Sequence, residues 1–255
     1  MIRIAVMGLG EAGSLYARGL AAGGAEVTGF DPNVDVTADG IAQRFRLEEC
    51  LDGAELVLSL VGARASVDAA RDAVGRMAPG TLLADLNTSA PETKLEVARV
   101  ARASGMRIAD VAVLAPVPRA GHRTPLLASG DAADDFAERM RPFGVPVDVV
   151  PGGIGDAARR KLLRAVFMKG MAAVVIEALE AARAHGVEEW LWGQIADELG
   201  ADGDGRVQRM LAGTYKHAER REQEMRDAVD LLERSGSPAD VTRATRISLQ
   251  RIIEA

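Results

Sequence analysis

The amino-acid sequence predicts an α/β protein, a doubly wound parallel sheet followed by a smaller all-α domain. Up to about residue 150, short apolar segments alternate with helical patterns of roughly a dozen residues, which is typical of a parallel sheet with crossover helices. From residue 156 onward, only helical patterns remain. Ala, Val, Leu and Gly dominate while aromatic residues make up only 4%, and this composition suits helices packed on a parallel sheet.

The predicted elements follow one another in a simple order. The strands are IRIAVMGLG, AEVTGFD, ELVLSLV, TLLADLNT and MRIADVAVL, with TPLLASG and VPVDVVPG as later strands. Helices are predicted between them, and four more at 156–185, 193–200, 204–234 and 237–254. The glycine-rich segment PGGIG at 151–155 is the expected boundary, which gives a sheet domain at 1–152 and a helical domain at 153–255.

Bulk properties exclude several classes of protein. The formal net charge of −6 does not favour nucleic acid binding. The one cysteine, Cys50, cannot form an internal disulfide, and no Cys/His spacing indicates a metal site. The N-terminus lacks the features of a signal peptide, and no apolar run reaches the roughly 18 residues of a membrane helix. We therefore expect a soluble cytoplasmic protein with no metal, nucleic acid or membrane partner.

The first strand ends in a glycine motif, G-x-G-x-x-G, that opens a helix. A turn of this kind binds dinucleotides in Rossmann domains: the first glycine allows the tight turn, the second allows a pyrophosphate to approach, and the third lets helix and strand pack closely. The helix N-terminus supplies amides and a dipole for the phosphates. The alternative is a tight strand–helix turn without a ligand. The motif residues expected to bind the cofactor are Gly8, Leu9, Gly10, Glu11, Ala12 and Gly13.

An acidic residue stands where such a site would bind ribose. Asp31 ends the second strand, 18 residues after Gly13, and its carboxylate can accept hydrogen bonds from both ribose hydroxyls. It would also repel a 2′-phosphate, so NAD is expected and NADP is less favoured. Leu60 and Val61, at the end of the third strand, are expected to complete the cofactor site.

A polar loop, Asp85-Leu86-Asn87-Thr88-Ser89-Ala90-Pro91, follows the fourth strand. Ligands in open α/β sheets bind beyond the carboxyl ends of the strands, so Asn87 and Thr88 are candidates for orienting a small anionic or polar substrate. The alternative is a group of helix-capping residues. Both interpretations can hold together.

The segment GGIGDAARRKLLRAVFMKG contains the candidate catalytic base. On a helix, the face of Lys161 also carries Arg164, Ala165, Met168 and Ala172, so it becomes apolar away from the glycines. A half-buried lysine amine can have a lowered pKa and can exchange a proton with an alcohol. Arg159 and Arg160 are expected to face solvent or pair with acids, and a solvated face for all these cations is the alternative.

These three motifs, in this order, resemble the β-hydroxyacid dehydrogenase family, which includes 3-hydroxyisobutyrate, tartronate-semialdehyde and 6-phosphogluconate dehydrogenases. GLGEAG with Asp31 is similar to its cofactor motif, and DLNTSAP is similar to its D-x-S-T-x-x-P loop. Gly152, Gly155 and Lys161 reproduce its G-x-x-G followed six residues later by the catalytic lysine. The resemblance implies a general acid/base role for Lys161. The stretch VFMKGMAAVVIEAL is too apolar for a lone surface helix, so we expect it to pack in a homodimer.

Some positions depart from the family pattern. Ala165 stands where the family has an Asn, Asn87 replaces the first hydroxyl of its Ser-Thr pair, and Leu114-Ala115-Pro116 replaces its Ser-Gly-Gly. The C-terminal half resembles a bacterial subgroup with a divergent helical domain. The resemblance implies hydride transfer between NAD(P) and a small β-hydroxy acid or its aldehyde or keto form. An imine reductase and a catalytically silent dinucleotide-binding protein are the alternatives. The roles of His122, Lys169 and His217 stay open, with His122 near the expected substrate side.

Overall fold

The computed structural model describes residues 1–36 and 41–255. Its backbone contacts divide the chain into two compact units, Met1–Lys161 and Leu162–Ala255. The predicted boundary at 152–153 falls before the end of the first unit, which includes the first residues of a long helix.

The first unit is built on one eight-stranded sheet with the strand order β3-β2-β1-β4-β5-β6-β7-β8. The strands are β1 (Arg3–Met7), β2 (Glu26–Phe30), β3 (Ala42–Arg44), β4 (Leu56–Ser59), β5 (Leu82–Asp85), β6 (Arg107–Val113), β7 (Leu126–Ser129) and β8 (Val147–Val149). The order reverses at β1, next to β4, as in a doubly wound sheet. The predicted fold class is thus confirmed.

The sheet differs from the sequence prediction in two details. β3 was not predicted, because three residues are too few to show an alternating pattern. β6 and β7 pair antiparallel, whereas every other pair is parallel. The chain between β6 and β7 contains only two short 3-10 turns, and a parallel pair would need a longer crossover.

Helices cover both faces of this sheet. They are α1 (Glu11–Ala22), α2 (Leu47–Leu51), α3 (Ser66–Val74), α4 (Pro91–Ala103) and α5 (Ala133–Met140). Alternate residues of β1 belong to two different cores: Ile4 and Val6 to one, Ala5 and Met7 to the other. Because both faces are buried, the central strands are mostly apolar, as the sequence indicated.

All described elements of the second unit are helical. The helix α6 (Asp156–Ala184) begins in the first unit and is followed by α7 (Glu188–Glu198), α8 (Gly203–Lys216), α9 (Ala218–Arg234) and α10 (Asp240–Glu254). No helix within residues 1–36 and 41–255 combines the length and apolar character needed to cross a bilayer.

The prediction of one helix over 204–234 was wrong, because the chain breaks at His217, whose φ of −128° is not helical. Val207 of α8 packs in one apolar cluster, whereas Met225 of α9 packs in another. The break lets each helix reach its own cluster. No Gly or Pro marks it in the sequence. The start predicted at residue 193 was also late, since α7 begins at Glu188.

Candidate functional site

The first glycine of the motif holds three strand ends together. Gly8 has a φ of +88°, and its N–H donates to the carbonyl of Phe30 at the end of β2 (2.8 Å). A Cβ on Gly8 would lie 2.5 Å from the carbonyl oxygen of Leu60 and 2.9 Å from the nitrogen of Val61. A side chain here would therefore collide with the backbone after β4, which explains the glycine.

The other two glycines differ sharply in their surroundings. A Cβ on Gly13 would lie 1.8 Å from the carbonyl oxygen of Gly8, so only glycine allows α1 to start this close to the turn. A Cβ on Gly10 would meet nothing within 4 Å. Gly10 is exposed at the N-cap of α1, and no side chain caps that end. The open space over these amides fits the pyrophosphate of a dinucleotide.

Asp31 is fixed by the backbone on both sides. Its Oδ2 accepts from the N–H of Leu9 (2.8 Å) and its Oδ1 accepts from the N–H of Asn33 (2.8 Å). A carboxylate has about four lone-pair positions, so acceptor capacity remains for ribose hydroxyls. Leu60 and Val61 are half-buried at the end of β4, beside Gly8. The predicted cofactor residues thus come together at the carboxyl ends of β1, β2 and β4.

Asn87 is buried and its amide is engaged inside the protein. Its Oδ1 accepts from the N–H of Gly62 (2.7 Å), and its Nδ2 donates to Ser59 Oγ (3.0 Å) and to Asp85 Oδ1 (2.6 Å). Both amide hydrogens are therefore used. This geometry does not favour Asn87 as a hydrogen-bond donor to a substrate. It ties the loop after β5 to the loop after β4.

Thr88 and Lys161 lie in direct contact although 73 residues separate them. Lys161 Nζ donates to Thr88 Oγ1 at 2.6 Å, and both residues are half-buried. The structure thus brings together the polar loop and the lysine that the sequence singled out independently.

The start of α6 is held by two side chains from the sheet. Asp110 Oδ2 accepts from the N–H groups of Gly155 (3.0 Å) and Ala158 (3.2 Å), and Ser129 Oγ accepts from the N–H of Ala157 (2.9 Å). These bonds occupy amides that have no partner within the helix. Gly155 has a φ of +95°, so the second glycine of the G-x-x-G motif is needed for the turn into the helix. Lys161 follows in the second turn.

The arginines beside Lys161 take the places expected of them. Arg159 and Arg160 are exposed. Arg159 forms an ion pair with Asp156, and Arg160 donates to the carbonyl of Pro151 (3.4 Å), which confirms that prediction.

Lys94 is a charged residue that the sequence reasoning missed. It is 1% exposed, and its Nζ donates to the carbonyl of Asp85 (2.7 Å). The same nitrogen lies 3.2 Å from Asp85 Oδ2 and 3.4 Å from Asp110 Oδ1. One signal was available: Lys94 lies in a buried helical stripe together with Pro91, Val97, Ala98 and Ala101.

The other residues whose roles the sequence left open lie in separate parts of the structure. A Cβ on Gly19 of α1 would lie 1.9 Å from His122 Nδ1, so the loop carrying His122 folds back against that helix. In the second unit, Lys169 Nζ lies 2.5 Å from Glu224 Oε2. His217 occupies the break between α8 and α9.

In the loop after β6, the N–H of Leu114 donates to the carbonyl of Pro125 (3.0 Å).

The doubly wound sheet and its glycine turn define a dinucleotide-binding protein. Residues 3–143 match the family model for the NAD-binding domain of 6-phosphogluconate dehydrogenase, and residues 182–252 match DUF1932, a domain of unknown function. The chain therefore belongs to the β-hydroxyacid dehydrogenase family, and its first unit contains an NAD(P)-binding domain. The predicted family is confirmed.

Individual relatives agree with this assignment. The 3-hydroxyisobutyrate dehydrogenase of Pseudomonas aeruginosa is 33% identical over 150 residues, which cover 56% of this chain and 50% of that protein. The Mycobacterium tuberculosis 3-hydroxyisobutyrate dehydrogenase, solved with L-serine, superposes with a TM-score of 0.81 at 20% identity, over 98% of this chain and 93% of that one. A Streptomyces aurantiacus imine reductase gives 0.67 at 22%, over 98% and 93%. At these identities, the two structures show a shared fold only.

Proposed function

We propose that the protein transfers hydride between NAD(P) and a small β-hydroxy acid, or the corresponding aldehyde or ketone. The observation that supports this most is the hydrogen bond of Lys161 Nζ to Thr88 Oγ1 (2.6 Å). It places an amine and a hydroxyl together at the carboxyl edge of the sheet, where ligands of this fold bind.

Each of these groups has a task in such a reaction. A nicotinamide dinucleotide held by the glycine turn and Asp31 would supply the hydride-transfer chemistry. Lys161, as the free amine, takes the proton from the alcohol oxygen during oxidation, and as the ammonium it returns a proton during reduction. Thr88 accepts from Lys161 and can turn its own hydrogen toward the substrate oxygen. Asn87 supports the loop from within, so we assign the substrate-orienting role to Thr88.

Two alternatives differ in what they predict. An imine reductase would reduce imines and would not oxidise hydroxy acids. A silent binding protein would bind the dinucleotide without turnover. The contact between Lys161 and Thr88 favours the dehydrogenase, because a silent protein has no need to orient an amine at the edge of the cofactor domain.

We further propose NAD as the preferred dinucleotide, since the Asp31 carboxylate would face the 2′-position of the adenosine ribose. We also propose a homodimer. Three large apolar side chains of α6 are exposed, Leu163 by 48%, Phe167 by 67% and Val174 by 66%, and a second copy of the chain would cover them. A nicotinamide-linked reaction and the buried free thiol of Cys50 favour the cytoplasm. Light scattering after size-exclusion chromatography tests the dimer.

The test of the reaction uses purified wild type, Lys161→Ala and, as a matched control, Arg160→Ala, which removes an exposed neighbouring cation. Each protein is titrated with NADH and NADPH and then assayed on β-hydroxy acids, their carbonyl forms and imines at the nicotinamide absorbance band. We expect wild-type turnover on a hydroxy acid, a loss of about 10²–10⁴-fold in Lys161→Ala with cofactor binding kept, and no such loss in Arg160→Ala.

The other outcomes are equally informative. Full activity in Lys161→Ala would remove the lysine from the mechanism. Turnover on imines alone would support a reductase. Tight cofactor binding without turnover on any compound would support the silent protein.

A further inference from the structure

A row of buried polar residues crosses the sheet beneath the candidate site. Ser59, Asp85, Asp110 and Ser129 are aligned in register on the neighbouring strands β4, β5, β6 and β7. All four are 4% exposed or less. Burying polar groups costs free energy unless they are hydrogen-bonded, so packing alone does not explain such a row.

The row forms a continuous chain of contacts. At one end, Asn87 joins Ser59 and Asp85 to the N–H of Gly62 in the loop after β4. In the middle, Lys94 Nζ bridges Asp85 (3.2 Å) and Asp110 (3.4 Å).

At the other end, Ser129 donates to Asp110 (3.2 Å), and both accept from the first amides of α6. Lys94 therefore lies between the loop that carries Thr88 and the helix that carries Lys161.

We propose that Lys94, bridging Asp85 and Asp110, is a positioning residue for Lys161, an inference that rests on the proposed function. Its ammonium holds the Asp85 carbonyl, three residues before Thr88, and the carboxylate that caps the start of α6. The contact between Thr88 and Lys161 is thus fixed from both sides by one buried cation. Without that charge, two buried carboxylates on adjacent strands repel each other, and the loop and helix separate.

A purely structural ion pair would predict something different. Removing one partner of a buried ion pair is destabilising whatever the role of the pair, so stability alone does not separate the two roles. Loss of a structural group would lower every activity in proportion to the folded fraction. Loss of a positioning group lowers kcat in the folded protein, and only while the group that it positions is present.

The experiment compares Lys94→Met and Ser129→Ala, each alone and combined with Lys161→Ala. Val97→Ala is the matched control, because Val97 is equally buried on α4 but belongs to the apolar core. NADH affinity, kcat and KM are measured on the substrate of the wild type. We expect NADH affinity within about twofold, kcat at least tenfold lower in Lys94→Met, and no further loss when Lys94→Met is added to Lys161→Ala. An equal loss in both backgrounds, or in Val97→Ala, overturns the proposal.

Hydrogen exchange tests the same proposal without any substrate. In Ser129→Ala, exchange should rise at 155–161, where Ser129 accepts from the N–H of Ala157, and also at 86–90, to which Asp110 and Lys94 connect Ser129. Exchange confined to 155–161 overturns the proposal, including when Lys94→Met does not fold. If the wild type turns over no compound, the proposed function fails by itself, and this exchange pattern still decides whether the row couples the two segments.

Discussion

The glycine loop offers a sharp test because Gly10 and Gly13 differ in the space available to a side chain. Gly10→Ala adds a methyl group to open space, and the backbone there (φ −63°, ψ −167°) is accessible to alanine. We expect the free energy of unfolding to change by less than about 1 kcal/mol, the usual difference between glycine and alanine at an N-cap. The melting temperature should then move by no more than about 2–4 °C.

Gly13→Ala is the matched variant. Its Cβ would lie 1.8 Å from the carbonyl oxygen of Gly8, so helix and turn must separate by more than 1 Å to reach van der Waals contact. Overpacking of this kind costs about 1–3 kcal/mol or more, which exceeds the roughly 1 kcal/mol gained in helix propensity. We expect a lower melting temperature for Gly13→Ala.

Cofactor binding should be weakened in Gly10→Ala although this protein remains stable. The methyl group of Gly10→Ala would occupy the space where a pyrophosphate approaches the amides of α1, so we expect NADH affinity to fall at least about tenfold, or 1.4 kcal/mol. Intrinsic fluorescence or calorimetric titration measures the affinity, and differential scanning calorimetry measures the stability. Wild-type NADH affinity in a stable Gly10→Ala protein would refute the assignment of this turn as the phosphate site.

Three further predictions concern charge. Asp31→Asn should raise the affinity for NADPH relative to NADH by about tenfold, measured by parallel titrations; an unchanged ratio would show that Asp31 does not face the 2′-position. Lys94→Met should lower the free energy of unfolding by about 3–5 kcal/mol in urea, because two buried carboxylates lose their cation; a smaller change than in Val97→Ala would contradict this. Burial raises the pKa of the Cys50 thiol from 9.0 to about 11. As the pH rises, the thiol ionises in the unfolded state before it does so in the folded state. Below pH 9 it therefore does not lower the free energy of unfolding, and between pH 9 and 11 it should lower that free energy by up to about 3 kcal/mol. Cys50→Ala should lack this decline, and an identical pH dependence in both proteins would exclude the effect.

The sequence alone was sufficient for the fold class and the family, and it named the two residues at the centre of the candidate site. The alternation of apolar strands with helical patterns predicts a sheet covered on both faces, and this pattern is visible within short stretches of consecutive residues. The glycine spacing predicts a strand–helix turn whose geometry also depends on consecutive residues. Gly8, Gly10 and Gly13 could therefore be placed in that turn without coordinates. Thr88 and Lys161 could each be named from their motifs, although nothing local showed that they touch.

Tertiary structure decided what depends on distant neighbours. The antiparallel β6–β7 pair and the break at His217 arise from packing that no local pattern records. The sequence predicts that Asn87 orients the substrate, yet its side-chain amide is hydrogen-bonded to Gly62, Ser59 and Asp85. No role was predicted for Lys94, yet its Nζ lies between two carboxylates from adjacent strands. A side chain's role depends on which groups the fold places within hydrogen-bonding distance, and those groups come from positions far away in the chain.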